Sequence, residues 1–378
     1  MNILVLNSNP KCSATRSLVR AGNKLGHETT VLDPAFLSPF VSNVGGHDRL
    51  YDMLAGPHKR LSANSIGCII PRFATNVKYN TMVLDHMEKN MKIPSVQSAE
   101  AIRIASNKWQ TLQACSQYGI RTPRTVYSKT LKEVDYLIDK IGKLPLIAKY
   151  NYGSMGSGVM ILDSKRTAVS TIQSLIKNKA DFIIQEFISG GSVDVRIVVV
   201  ASKVTAAYQR QAEKGEWRSN LSMGGTGSPV DITPEEEIMA IRAASAVGLE
   251  VCGVDIMRNE QGVPFLIEVN SNFGFKGQKI TGVNFADHIM RYAIQKANNR
   301  TPEIGSEGKL PDAIYSKHFK RVEQQLKFFT ENSEIQKSFQ KTIGKKLKYI
   351  DREGNRQARL IQSPKDLYDV IFQTFKIG

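Results

Sequence analysis

The chain has 378 residues, 41% apolar and 23% charged, with a net charge of +16. At about 100–200 residues per domain it holds two or three domains, and no run approaches the roughly 18 apolar residues of a membrane helix. The basic balance favours acidic partners such as nucleotides, acidic peptides or nucleic acid, yet no Lys/Arg run exceeds two and no zinc-finger, RRM or KH signature is present. Cys12, Cys68, Cys115 and Cys252 never form CxxC, and the histidines form no HxxxH or HxxE pair. Free thiols in a reducing compartment are therefore expected, and a zinc site is not. The N-terminus lacks the basic start and long apolar run of a signal peptide, so a cytoplasmic location is expected.

In chain order, Ile3–Leu6 reads as a strand, Ala14–Leu25 as a helix, and Glu28–Leu32 and Gly67–Ile70 as further strands. This strand–helix–strand order implies a parallel sheet, and the loop after Leu6 lacks the GxGxxG of a dinucleotide site. Helix Lys108–Tyr118 stops at Gly119. Strands Leu144–Lys149 and Val159–Leu162 flank a Gly-rich loop, then come helix Thr167–Asn178 and strand Phe182–Ile188. Val195–Ala201 with Val204–Arg210, and Leu249–Met257 with Pro264–Asn270, read as hairpins. Between them Thr233-Pro-Glu-Glu236 combines an N-cap, a first-turn proline and a capping-box glutamate, which starts helix Pro234–Val247. Beyond residue 300 the pattern gives an amphipathic helix Tyr315–Phe329, a hairpin of Leu347–Ile350 with Arg356–Ile361, and a last helix from Ser363-Pro364.

Four elements carry chemistry. In Lys149-Tyr-Asn-Tyr-Gly153-Ser154-Met-Gly156-Ser-Gly158 the glycines let backbone N–H groups close on phosphate oxygens, and Lys149 adds charge at the strand end. A plain Gly-rich hairpin turn is the competing reading. Glu268 and Asn270 share a strand face, and Asp255 on the preceding strand can face them. Two carboxylates and an amide oxygen suit Mg²⁺ bridging nucleotide phosphates. Their apolar surroundings argue against a solvated hairpin face. Asp194 and Arg196 share another face, with Arg210 on the partner strand and Arg218 and Asn220 in a Gly-rich segment. Guanidinium groups there can stabilise a transferring phosphoryl group, and a surface Asp194–Arg196 ion pair is the bland alternative. Finally, the apolar strand ending in Glu186-Phe187-Ile188 can present backbone to an adenine edge and Glu186 to a ribose, or be simply a core strand.

In this order the elements resemble the ATP-grasp superfamily, and within it the RimK-like ligases. The matching stretches are Ile70-Pro-Arg72, Asn107-Lys108, Ala148-Lys149, Gln185–Ile188, Asp194–Arg196, Glu216–Asn220, Gly253–Asp255, Glu268–Asn270 and Thr281-Gly282, collinear over about residues 1–297. The resemblance implies a mixed α/β (α+β) ATP-grasp fold: a pre-ATP-grasp α/β domain over 1–97, a two-part nucleotide-binding core over 98–300, and a small basic C-terminal extension over 301–378. It implies that Lys108, Lys149, Gly153, Ser154 and Gly156 hold phosphates and that Glu186 and Phe187 hold the adenosine. Asp194 with Arg218, Ser219 and Asn220 would complete the nucleotide contacts, and Arg210, Arg218 and Asn220 would act in catalysis. Asp255, Glu268 and Asn270 would bind two Mg²⁺ ions, with Mn²⁺ as a substitute, and Arg72, Arg196 and Lys276 would meet the substrate.

The implied activity is a carboxylate–amine ligase working through an acyl phosphate. Its partners would be ATP, an amino-acid amine donor and a carboxylate on a peptide, protein or small molecule, in a homo-oligomer away from membranes. A non-catalytic ATP-binding module and a ligase acting on a nucleic-acid-associated acceptor are the alternatives. Two features depart from the RimK pattern. Ser271-Asn-Phe-Gly274 stands where the family reads Ala-Ser-Pro-Gly, and the next segment, Phe275–Lys279, is more basic. The extension has no RimK counterpart and carries 15 Lys/Arg against 10 Asp/Glu.

Overall fold

The computed structural model describes residues 1–41, 49–56, 59–130, 132–153, 158–190, 192–212, 225–299, 345–350 and 356–360. The chain divides into two compact units, the first made of Met1–Ser38 with Asp52–Arg300. The second takes in Pro39–Tyr51 and, among the described residues of the C-terminal segment, one hairpin.

The first unit opens with β1 (Asn2–Leu6), α1 (Ser13–Lys24) and β2 (Glu28–Leu32). In chain order β3 (Leu37–Phe40) and β4 (Arg49–Asp52) follow, which pair with each other and fall mostly in the second unit, and β5 (Ile66–Pro71) is again in the first. β1 lies between β2 and β5, parallel to both. Its Ile3–Leu6 run is buried on both faces, as the central strand of a parallel sheet requires. The strand ends then fall together: Leu6 pairs with Pro71, and Arg72 N–H donates to Leu6 O at 2.8 Å. Loops following β1 and β5 therefore emerge side by side at the C-terminal edge of the sheet, where open parallel sheets bind their ligands.

Helices α2 (Val77–Asp85), α3 (Ala99–Ala105) and α4 (Lys108–Gln117) lead into a four-stranded sheet. It is built from β6 (Thr125–Val126), β7 (Leu146–Tyr150), β8 (Val159–Leu162) and β9 (Phe182–Glu186) in the order β6-β9-β7-β8. Helices α5 (Val134–Ile141) and α6 (Lys165–Lys177) cover one face, with Ile138, Ile172 and Leu175 packing on Leu146, Ala148 and Ile184. β9 stops at Glu186, so Phe187 and Ile188, which the apolar run places inside the strand, follow it as a connecting segment.

A five-stranded antiparallel sheet comes next: β10 (Val193–Val200), β11 (Lys203–Gln211), β12 (Thr226–Pro229), β13 (Val251–Arg258) and β14 (Pro264–Asn270), ordered β12-β11-β10-β13-β14. Helix α7 (Pro234–Val247) starts with both halves of the capping box in place: Thr233 Oγ1 accepts from Glu236 N–H, and Glu236 Oε2 accepts from Thr233 N–H. α8 (Gly277–Thr281) is one turn. α9 (Phe285–Asn298) places Phe285, Ile289, Met290 and Ala293 in the same core as Ile3, Val5 and Leu18 of the parallel sheet and Val198 and Val200 of β10. The last described elements are β15 (Lys346–Ile350) and β16 (Arg356–Leu360), an antiparallel pair where the pattern predicts a hairpin. The predicted helix Tyr315–Phe329 and the one from Ser363 lie outside the described residues. Among the described residues no helix is long and apolar enough to cross a membrane.

Candidate active site

Antiparallel register builds the floor of the site. Asp255 faces Glu268 across β13–β14 and Arg196 across β10–β13, and Arg196 faces Tyr208 on β11. Directly opposed residues share a face, so Glu268, Asp255, Arg196 and Tyr208 form one row across four strands. Asp194 and Arg210, two positions along, face each other on the same side. Gly253 makes room for this row: a Cβ there would lie 2.9 Å from Arg196 Cδ and 3.0 Å from Phe273 Cβ.

Above this floor lies a cleft of about 650 Å³, lined among others by Arg72, Lys108, Lys149, Gly153, Glu186, Phe187, Asp194, Arg196, Arg210, Asp255, Glu268, Asn270 and Lys276. The structure thus gathers from six strands, α4 and several loops the site candidates that fall among the described residues. Ser154, Gly156, Arg218, Ser219 and Asn220 lie outside the described residues.

The charges pair differently from the Asp194–Arg196 surface bridge. Arg210 grips Asp194 through Nε (2.6 Å) and Nη2 (2.5 Å), and its Nη2 also lies 3.0 Å from Asp255 Oδ2. Arg196 grips Asp255 through both Nε and Nη2. All four residues are at least nine-tenths buried. Burial opposes the Asp255 charge, but the two guanidinium groups outweigh it and hold its carboxyl below the usual range. Arg210 is held charged by Asp255 and Asp194 against the same desolvation.

On the opposite wall, Lys149 Nζ donates to Gln185 Oε1 at 2.7 Å, and Gln185 Nε2 donates to Thr125 Oγ1 at 3.0 Å. Burial pushes the Lys149 ammonium down to about 8, with Lys108 adding repulsion and Glu268 and Asp255 opposing it. Asn107 caps α4 by accepting from Gln110 N–H, which sets Lys108 at the first helical position. Lys108 Nζ then reaches Gly153 O at 2.9 Å and Glu268 Oε1 at 3.5 Å. Gly153 has φ +145°, a conformation that glycine adopts readily. Glu186 accepts from Arg124 through Nε and backbone N–H.

Two supporting residues carry no role in the sequence reading. Buried Gln185 orients Lys149. Buried Asn151 accepts from Trp109 N–H at 2.8 Å through its side chain and from Lys108 N–H at 3.0 Å through its carbonyl, tying the start of α4 to the end of β7. Their signal was a polar residue set in, or just beyond, an apolar strand.

The donor set fits a hard divalent cation. Asn270 turns Nδ2 toward Asp255 Oδ2 at 3.2 Å, which leaves its amide oxygen as a ligand. Asp255 Oδ2 is taken up by Arg196, Arg210 and Asn270, but Oδ1 accepts only from Arg196 Nε and keeps a lone pair for a cation. Among the described residues no three His, Cys, Asp or Glu side chains form a metal cluster. The cation would thus complete its shell with phosphate oxygens and water, as Mg²⁺ commonly does.

Two sheets face one cleft, with Lys149 on one and Asp255 and Glu268 on the other. Residues 105–293 match the RimK-like ATP-grasp domain and residues 1–102 the RimK pre-ATP-grasp domain. The chain belongs to the RimK-like ATP-grasp family of ligases. It is 37% identical over 311 residues to a probable alpha-L-glutamate ligase of Azotobacter vinelandii, covering 82% of this chain and 100% of that protein. Its fold is similar to the ATP-grasp ligase PsnB complexed with a phosphomimetic variant of its minimal precursor, Mg and ADP (TM-score 0.59, 18% identity, 78% of this chain and 98% of that one). It is also similar to the macrocyclase MdnC from Microcystis aeruginosa bound with precursor peptide MdnA (TM-score 0.60, 13% identity, 78% and 100%).

Proposed function

We propose that this ATP-grasp ligase uses ATP to activate a substrate carboxylate as an acyl phosphate and transfers the acyl group to the amine of an amino acid. The carboxylate belongs to a peptide, protein or small molecule. The single observation that carries the reading is Lys108, whose ammonium bridges the loop carbonyl of Gly153 and the Glu268 carboxylate. It brings the phosphate-binding wall and the carboxylate wall to one point.

In this reading the substrate carboxylate attacks the γ-phosphorus in line and ADP leaves. The amine then attacks the acyl carbon and phosphate is expelled. The residues position groups and balance charge rather than form covalent bonds with substrate. Lys149, oriented by Gln185, and Lys108 hold phosphate oxygens, while Glu186 and Phe187 hold the adenosine. Asp255, Glu268 and Asn270 would hold two Mg²⁺ ions, or Mn²⁺ in their place, and the metal would supply charge neutralisation on the transferring phosphoryl group. Arg72 orients the substrate carboxylate. Arg196 and Arg210 set the charge and direction of Asp255 and Asp194. Lys276 and the Arg218–Asn220 segment, the domain division at 97 and 300, a homo-oligomeric state and a cytoplasmic location belong to the same proposal.

Release of ADP across a panel of amino acids and candidate carboxylates tests it. Release that requires one of each, with an amide product found by mass spectrometry, is expected. Nucleotide binding with no turnover on any pair would favour a binding module instead.

A further inference from the structure

Cys12 differs from the other three thiols of the chain. Cys68, Cys115 and Cys252 are buried in apolar surroundings that push each of them up to about 12, so they stay protonated. Cys12 is only partly buried and lines the cleft. It is the N-cap of α1, where unsatisfied N–H groups and the helix dipole favour negative charge. Its Sγ lies 3.1 Å from Thr15 Oγ1 and 3.5 Å from Thr15 N, and accepts from Asn7 Nδ2 at 3.7 Å. Burial works against its ionisation, yet the Thr15 hydroxyl and amide, the Arg72 charge and the Ala14 amide together lower its pKa.

Arg72 lines the same end of the cleft, because β1 and β5 end side by side. It is 4% exposed. Its Nη2 donates to Phe273 O, and the rings of Phe273 and Phe275 lie 5.5 and 4.9 Å from its guanidinium carbon. Its Nε and Nη1 have no hydrogen-bond partner among the described residues. Burial without a carboxylate partner lowers its pKa to about 10. A buried guanidinium with two unused donors is costly unless an anion completes it.

We propose that Cys12 is a modification site that takes a small disulfide bearing carboxylates, with a carboxylate of the adduct seated on Arg72, and that this adduct closes the substrate end of the cleft. The Cys12 thiolate attacks one sulfur of the disulfide. A new S–S bond forms, the reagent's S–S bond breaks, and the second half leaves as a thiolate with the bonding pair. The thiol proton goes to solvent. A reducing thiol reverses the exchange. The closing effect rests on the ligase reading given above, whereas adduct formation does not.

The test treats the full-length protein with glutathione disulfide as the anionic probe and cystamine as the cationic one, read by intact mass and peptide mapping. Expected is one adduct, on Cys12, formed about tenfold faster with the anionic probe, since a nearby cation concentrates anions. Arg72→Gln, with folding checked by thermal melting, should remove that preference, and the wild-type comparison stands even if the variant fails to fold. Complete modification should stop ADP formation and dithiothreitol should restore it. Cys12→Ser, which keeps an N-cap oxygen, should form ADP normally and acquire no adduct. First labelling at another cysteine, equal rates for the two probes, or ADP formation unchanged by a complete Cys12 adduct would overturn the proposal. Adduct formation on Cys12 in a protein that turns over no substrate pair would count against the ligase reading and support the modification site.

Discussion

Arg196 and Asp255 stand directly opposite each other on β10 and β13, and the guanidinium grips the carboxylate through two nitrogens, with Nη2 to Oδ2 at 2.8 Å. Arg210 shares the same carboxylate oxygen, so one buried aspartate balances two arginines while Asp194 supplies the second negative charge.

Removing one member of this quartet strands a buried charge. Asp255→Ala should lower stability by about 3–5 kcal/mol, the usual cost of breaking a buried ion pair. Urea unfolding measures it. A loss below about 1 kcal/mol would mean that water reaches the arginines and replaces the carboxylate.

Lys149 and Glu268 should separate binding from turnover. With Lys149 in its proposed place, Lys149→Ala would remove a charged hydrogen bond to phosphate, worth about 1.5–3 kcal/mol, and should weaken ATP binding roughly tenfold to a hundredfold in calorimetry. Gln185→Ala, which frees the lysine without removing it, should fall between wild type and Lys149→Ala. Glu268→Ala should abolish ADP formation, and wild-type turnover in that variant would remove Glu268 from the metal set.

Nucleotide affinity should depend on pH on the alkaline side. Lys149 sits at about 8 in the free protein, so it is charged below that value and neutral above it. Phosphate oxygens favour the charged form, and binding above pH 8 should therefore draw in a proton. Calorimetry in buffers of different ionisation enthalpy would register the uptake, with affinity falling as pH rises past 8. A flat profile would show that Lys149 remains charged throughout.

The capping box of α7 gives a prediction away from the cleft. Thr233→Ala should cost about 1 kcal/mol. Burial opposes the Glu236 charge, but Arg258 and the Thr233 amide prevail and lower its pKa. A depressed carboxyl stabilises the fold above its unfolded value of about 4.3. That contribution is lost as pH falls through the lower folded value. Glu236→Gln should therefore be less stable than wild type at neutral pH, with the gap narrowing below pH 4. Urea midpoints across that range would reveal it, and a constant gap would point to packing instead.

The local motifs could be read from the amino-acid sequence. Glycines around Lys149, alternating Glu268 and Asn270, and the capping box at Thr233 each express a backbone requirement within a few residues, so they are legible without a structure. The family was legible for the same reason, since its motifs are short and collinear. Tertiary structure alone decided the pairings. Whether Arg196 answers Asp194 or Asp255 depends on the register of β10 against β13, strands 50 residues apart in the chain. Gln185 and Asn151 gained their roles only when β9 and the end of β7 were brought to Lys149 and α4. Arg72 is the clearest case: nothing near it in sequence says that it will be buried without a counter-charge. That follows from the packing of β1, β5, Phe273 and Phe275 in one core, because the solvation and partners of a charge are set by what surrounds it in space.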